Sequence, residues 1–124
     1  MSSSELVKMR TRGILAFLTA HPTYQLSSRE WLVLLTVAMD EGLTSPELVE
    51  QLQMPQQTLS RKIRSLGQTV DESGAFQGYN LIRIVPKGKA HSLYLTDEGR
   101  ALWQAFSDMH DKVDQVIIDQ FRGG

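Results

Sequence analysis

Residues 54–66, MPQQTLSRKIRSL, raise the question on which the reading of the chain turns. The residue before a proline is pushed out of the helical region, so Met54-Pro55 marks a break. After it, Leu59, Ile63 and Leu66 recur at helical spacing, which predicts a helix from Gln56 to about Gln68 with these three as its inward stripe. That phase points Gln57, Arg61 and Arg64 most directly outward and leaves Gln56, Thr58, Ser60 and Ser65 at the margins. Alone, such a face is what an ordinary solvated helix looks like. The flanking sequence has to decide.

Upstream lies TSPELVEQL (44–52), a short helix starting either at a Thr44/Glu47 capping box or at a Ser45 cap with Pro46 in the first helical position, and ending near Gln53. Leu48, Leu52 and Met54 can share a core with Leu59, Ile63 and Leu66 across the tight turn, which gives the pair helix-turn-helix dimensions. Further back, LSSREW offers a Ser27/Glu30 capping box and a Leu26/Trp31 hydrophobic staple. The helix they open is expected to run through WLVLLTVAMDE, stop at Gly42 and form the buried centre. Before it, Leu6, Met9, Gly13, Phe17 and Ala20 predict an amphipathic helix over 4–20, ended by HPTY (21–24).

Downstream the period changes. Tyr79–Val85 and Ser92–Leu95 have strand character, with Pro86-Lys87-Gly88-Lys89 as the turn of a hairpin with a basic tip. Thr96 then caps a long helix, Asp97 and Glu98 suiting its first-turn dipole, that continues through Leu102, Phe106, Met109, Val113, Val116 and Ile117 to Phe121 before a fraying Gly pair. Gly67–Gly78 reads as a loop or as one more turn of the preceding helix. The expected fold is mainly α with a small β-hairpin: a winged helix-turn-helix ordered α-α-α-α-β-β-α. It is read as one domain over 1–124, with a core at 25–95.

With 124 residues, 41% hydrophobic and 22% charged, the chain is that of a folded globular domain. It has no cysteine, hence no disulfide or thiolate chemistry. The run WLVLLTVAM (31–39) is too short to span a bilayer and no signal peptide is read, so a cytoplasmic location is expected. His21, His91 and His110 lack metal-ligand spacing, and no phosphate loop or nucleophile elbow is present. Asp108, Asp111 and Asp114 read as a solvated helix face. No enzyme, cofactor or metal is expected.

The net charge of −1 argues against a generic polyanion binder, but its distribution is uneven. Between Gln56 and His91, Arg61, Lys62, Arg64, Arg83, Lys87 and Lys89 outnumber Asp71 and Glu72 by four, leaving −5 on the rest. A helix-turn-helix followed by a basic hairpin places its second helix in the major groove of DNA and its wing against the adjoining backbone. Arg can pair with guanine and Gln with adenine in bidentate fashion, which makes Gln57, Arg61 and Arg64 the base-edge candidates. Ser45, Gln56, Thr58, Ser60 and Lys62, with Lys87, Lys89 and His91 on the hairpin, complete the expected DNA-binding set, mostly as phosphate contacts. The same face could instead bind a protein, the alternative reading of the fold.

SLYLTDEGRALWQAF (92–106) resembles the strand-to-helix passage of MarR-type winged-helix regulators, and residues 29–66 are similar to the helices that precede it there. The resemblance covers about 25–106. It implies a transcriptional regulator, a repressor by occlusion, that binds a pseudo-palindromic double-stranded operator as a homodimer joined through its terminal helices. Gln53 stands where the family usually has Gly, Val49 where it has a small residue, and PKGKA replaces the family's acidic and arginine-rich wing. The terminal helices, 4–20 and 96–121, carry Leu6, Met9, Phe17, Phe106, Met109, Val113, Ile117 and Phe121, apolar surface that a two-fold partner would cover. Packing of the two termini within one chain is the competing explanation. A small aromatic effector among Phe17, Tyr24 and Trp31 is a further possible partner.

Overall fold

Leu59, Ile63 and Leu66 are all buried, and the elements around them form one of two compact units of the chain, Leu26–Ala101. The second unit comprises Met1–Gln25 and Leu102–Gly124. The computed structural model describes residues 2–21, 24–67, 72–74 and 78–123. The fourth helix ends at Leu66, short of the expected Gln68, because Gly67 is extended and bridges to Ile82; the expected Pro22 break and most of the 67–78 loop fall outside the described residues.

Helix α1 is Ser3–Ala20, α2 Ser28–Met39, α3 Ser45–Leu52 and α4 Gln56–Leu66; strands β1 (Ile82–Lys87) and β2 (Ala90–Leu95) follow, then α5, Asp97–Gly123. This is the expected order and a winged helix-turn-helix. The α2 box forms as read: Glu30 N–H donates to Ser27 Oγ at 3.2 Å and Ser27 N–H to Glu30 Oε1 at 3.0 Å. For α3 the Thr44/Glu47 box is the one used, with Ser45 and Pro46 inside the first turn.

Helix α2 stops sooner than its pattern suggests. Asp40 caps it, and Gly42 at φ 99° turns the chain so that residues 42–44 run beside β2. Gly42 N–H donates to Leu93 O at 2.8 Å and Leu93 N–H to Leu43 O at 2.9 Å. Pairing with the hairpin therefore wins over another half-turn of helix, and Glu41 is released. Its carboxylate accepts from Leu95 N–H at 2.8 Å and from both Arg100 terminal nitrogens at 3.1 and 3.0 Å.

The hairpin also departs from expectation. Its strands pair from Ile82↔Leu95 to Lys87↔Ala90, leaving a two-residue loop, Gly88-Lys89, in place of a four-residue turn. Gly88 at φ 62° supplies the positive φ that a type II′ turn requires in its first position. Pro86 fits inside β1 because the pair next to the closing pair exchanges no ladder bonds. At the other end, residues 79–81 are drawn out of β1 by α4: Tyr79 N–H donates to Ser65 O (2.9 Å), Asn80 N–H to Gly67 O (3.2 Å) and Leu81 N–H to Leu66 O (2.8 Å).

Val33 and Val37 of α2, Leu48, Leu59, Leu66, Leu81, Ile82 and Leu93 are fully buried and make up the core of this unit. Thr96 caps α5, accepting from Gly99 N–H at 3.0 Å while donating to Asn80 O at 2.6 Å. A Cβ at Gly99 would lie 2.1 Å from Leu81 O, so only glycine lets the helix start this close to the backbone.

In the second unit α1 and α5 cross at Gly13, where a Cβ would sit 2.6 Å from Val113 Cγ2 and 2.9 Å from Met109 Sδ. Phe17 is buried with its ring edge-on to Phe106, centroids 5.2 Å apart, and Arg10 pairs with Asp114 at 3.1 Å. Leu6, Met9, Met109, Val113 and Ile117 are half-buried, while Phe121 is 64% exposed. The apolar residues that remain open are largely others: Val7, Ile14, Leu15 and Leu18 on α1, and Val116 and Ile118 on α5. Gly123 is still helical, where the Gly pair is expected to fray; Gly124 is outside the described residues.

Candidate nucleic-acid interface

Helix α4 carries three cations and no acidic residue, and it begins after Pro55 without a side-chain cap. In contrast, α1, α2 and α3 each have a side-chain cap and a glutamate in the first turn. The partial positive charge at the start of α4 is thus left for a negative group from outside the helix.

Its circumference divides into four sectors. Leu59, Ile63 and Leu66 point inward. Gln57 and Arg61, a helical turn apart, form an exposed crown. On one flank, Gln56, Ser60, Ile63 and Arg64 join Ser45 of α3 and Ile84, His91 and Leu93 of the hairpin around a cleft of about 290 Å³. Gln56 Nε2 donates to Ser60 Oγ at 3.1 Å within this wall. The other flank holds the half-buried Thr58, Lys62 and Ser65, and the Ser65 hydroxyl donates to Glu30 Oε2.

Five of the expected DNA-binding residues, Ser45, Gln56, Ser60, Arg64 and His91, therefore meet in one cleft, while Gln57 and Arg61 stand apart on the crown. Lys87 closes the hairpin and Lys89 lies in its turn, both exposed. Arg64 has a different neighbourhood from Arg61, although helix phase alone groups them.

Two features were not anticipated. Arg83 lies over the Tyr94 ring, 5.5 Å from its centroid, on the hairpin face opposite to His91. Cross-strand register would have found this pair once the hairpin loop length was known. Glu30 is the other: beyond its cap it is buried, 8% exposed, and reaches α4. Burial raises its pKa, but hydrogen bonds from the Ser65 hydroxyl and from Ser27, with the Lys62 charge nearby, outweigh that and hold the carboxyl below its ordinary value of 4.5.

Among the described residues no helix is long and apolar enough to cross a membrane, and no group of three His, Asp or Glu side chains is placed to hold a metal. In the second unit Phe17 lines a cleft of about 430 Å³ with Gly13, Ala16, His21, Met109 and Val113 among others.

Residues 24–68 match the MarR family model. No curated protein matches the chain. Among solved structures, MepR, described as a transcription regulator of the Staphylococcus aureus multidrug efflux pump MepA, aligns with TM-score 0.61 at 20% identity, covering 97% of this chain and 84% of its own. An S. aureus MepR–DNA complex aligns with TM-score 0.56 at 20% identity and the same coverage. A MarR transcriptional regulator from Methanosarcina mazei Go1 aligns with TM-score 0.56 at 14% identity, over 95% of this chain and 74% of that one. The family match is confined to the helix-turn-helix region, and the solved structures share the winged-helix fold along nearly the entire chain.

Proposed function

We propose that the chain is a sequence-specific double-stranded-DNA-binding transcriptional regulator that acts as a homodimer and represses by occupying a pseudo-palindromic operator. The observation that carries this reading is the surface of α4: a polar crown and three cations without an acidic residue, an uncapped N-terminus, and a basic hairpin beside it. A solved MepR–DNA complex of the same fold supports it. In this reading α4 enters the major groove and Gln57 and Arg61 read base edges. Arg64, Ser45, Ser60 and His91 hold a phosphodiester in the cleft beside the wing, and Lys62, Lys87 and Lys89 contact further phosphates. The 25–95 core binds DNA in the cytoplasm, and the terminal helices join the two subunits.

The dimer is supported by α1, which is apolar on two sides. Gly13 and Phe17 face α5 within the chain, and Met9 lines a cleft with Val113 and Val116 of α5; Val7, Ile14 and Leu18 form a second, exposed stripe at helical spacing. A second copy would cover that stripe and set two recognition helices about one DNA turn apart. A small aromatic effector is a further part of the proposal, checked by ligand-dependent melting shifts.

Selection from a random duplex pool tests the whole reading. Enrichment of a two-fold-symmetric site, bound with a steep loss of affinity as salt rises, is expected. A folded dimer that enriches no site, even at low salt, would leave protein recognition as the function of this face.

A further inference from the structure

We infer that Glu30 and Ser65 are positioning residues that fix the roll of α4 about its own axis, and so set where Gln57 and Arg61 point; this rests on the DNA-reading function proposed above. The apolar stripe of α4 cannot do this alone. Hydrophobic contact is non-directional, so it defines the roll of a packed helix less sharply than a hydrogen bond between fixed partners does. At the roughly 6 Å radius of a helix surface, a 15° roll moves a side chain by about 1.5 Å. That displacement exceeds the distance window within which a hydrogen bond to a base edge is made. On the cleft flank Ile63 lines the same wall as Ile84 and Leu93. At the end of the helix the N–H groups of Tyr79, Asn80 and Leu81 bond to the carbonyls of Ser65, Gly67 and Leu66, which leaves the side toward α2 to be tied by other groups.

Glu30 ties the same helix to α2, through a side chain. One carboxylate oxygen is anchored by Ser27 N–H at 3.0 Å, and the residue's own N–H is held by Ser27 Oγ at 3.2 Å, so the capping box fixes the side chain relative to α2. The second oxygen takes the Ser65 hydroxyl. Ser65 therefore bonds to a point that does not move with α4. It lies about 40° around the helix from Arg61 and about 80° from Gln57, close enough in azimuth to transmit its position to both.

The choice of a carboxylate is itself informative. A buried charge contributes little net stability compared with a well-packed apolar group of the same size, and its recognised use is to specify one arrangement among several. Here the negative charge also sits on the flank of a helix meant for a polyanion, beside Lys62. It opposes non-specific attraction while ordering the reading face, a combination that favours discrimination over raw affinity.

Ser65→Ala and Ser65→Thr in the full-length protein test the inference. Alanine is the best helix former and leaves the capping box intact, and threonine keeps the hydroxyl. In the free protein, residual dipolar couplings of α4 amides relative to those of α2 report the roll directly, without DNA. Altered or averaged α4 couplings are expected in S65A and native couplings in S65T. On DNA, S65A should weaken binding to the selected operator about tenfold while non-specific affinity stays within about twofold, and S65T should restore operator binding. Native α4 couplings in S65A, or equal loss on both DNAs, would overturn the inference. Absence of any operator for the wild type would instead defeat the DNA-reading proposal, with the couplings still deciding the roll.

Discussion

Arg61 and Arg64 are three residues apart in sequence and share a helix, yet their surroundings predict different phenotypes. Arg61 stands on the crown; Arg64 lines the cleft with His91 and Ser45. Arg61→Ala is expected to remove about 1–3 kcal/mol of discrimination at one base position, read as relaxed preference in competition binding. Arg64→Ala should instead weaken all duplexes alike and reduce the slope of log K against log salt by about 0.9, as for the loss of one phosphate contact. Glu30 gives a prediction in pH. Its carboxyl is held below 4.5 in the folded state, so ionisation favours folding; that stability is present above the unfolded value and is lost as pH falls through the folded one. Urea midpoints from pH 6 downward should therefore fall more steeply for the wild type than for Glu30→Gln, the two curves converging below about pH 4.5. A parallel pair of curves would contradict the assignment. The Ser27 box was legible from residue types, because it is local. The Ser65 bond was not, because it joins residues 35 apart in sequence whose proximity depends on how α2 packs on α4.

At the scale of elements, helix starts were readable and ends much less so. Ser27, Thr44 and Thr96 each announce a helix by the donor and acceptor chemistry of a few adjacent residues. Thr44→Ala should cost about 1 kcal/mol by removing the α3 cap, measured by chemical denaturation. Gly99→Ala is expected to cost more, about 1–3 kcal/mol, since a Cβ placed 2.1 Å from Leu81 O forces the start of α5 away from residue 81. Where α2 ends and where the strands begin were decided elsewhere. Residues 42–44 leave the helical path to pair with β2, and residues 79–81 leave the strand path to hydrogen-bond with the last turn of α4. Local propensity cannot anticipate either outcome, because the competing partner is supplied by a distant segment.

At the scale of the whole molecule, the apolar residues of the terminal helices divide in a way that a helical wheel read in isolation does not. Phe17, Phe106, Met109 and Val113, expected at a dimer interface, pack against one another or around Gly13 within the second unit. Val7, Ile14, Leu15 and Leu18 are left exposed. Leu15→Glu combined with Leu18→Glu is therefore expected to convert a dimer to a folded monomer by sedimentation, and to weaken binding to a two-fold operator far more than to a single half-site. A double variant that remains dimeric would place the interface elsewhere. Residue order alone determined the fold class, the capped helix starts, the inward stripe of α4 and the basic character of the hairpin, since each follows from contacts between near neighbours or from periodicity. Only tertiary structure decided which cation of α4 faces the crown and which the cleft, which apolar face of α1 stays open, and what holds α4 in place. Those outcomes depend on pairings such as Glu30 with Ser65 and Gly13 with Val113, in which each partner's role exists only once the other has been brought to it.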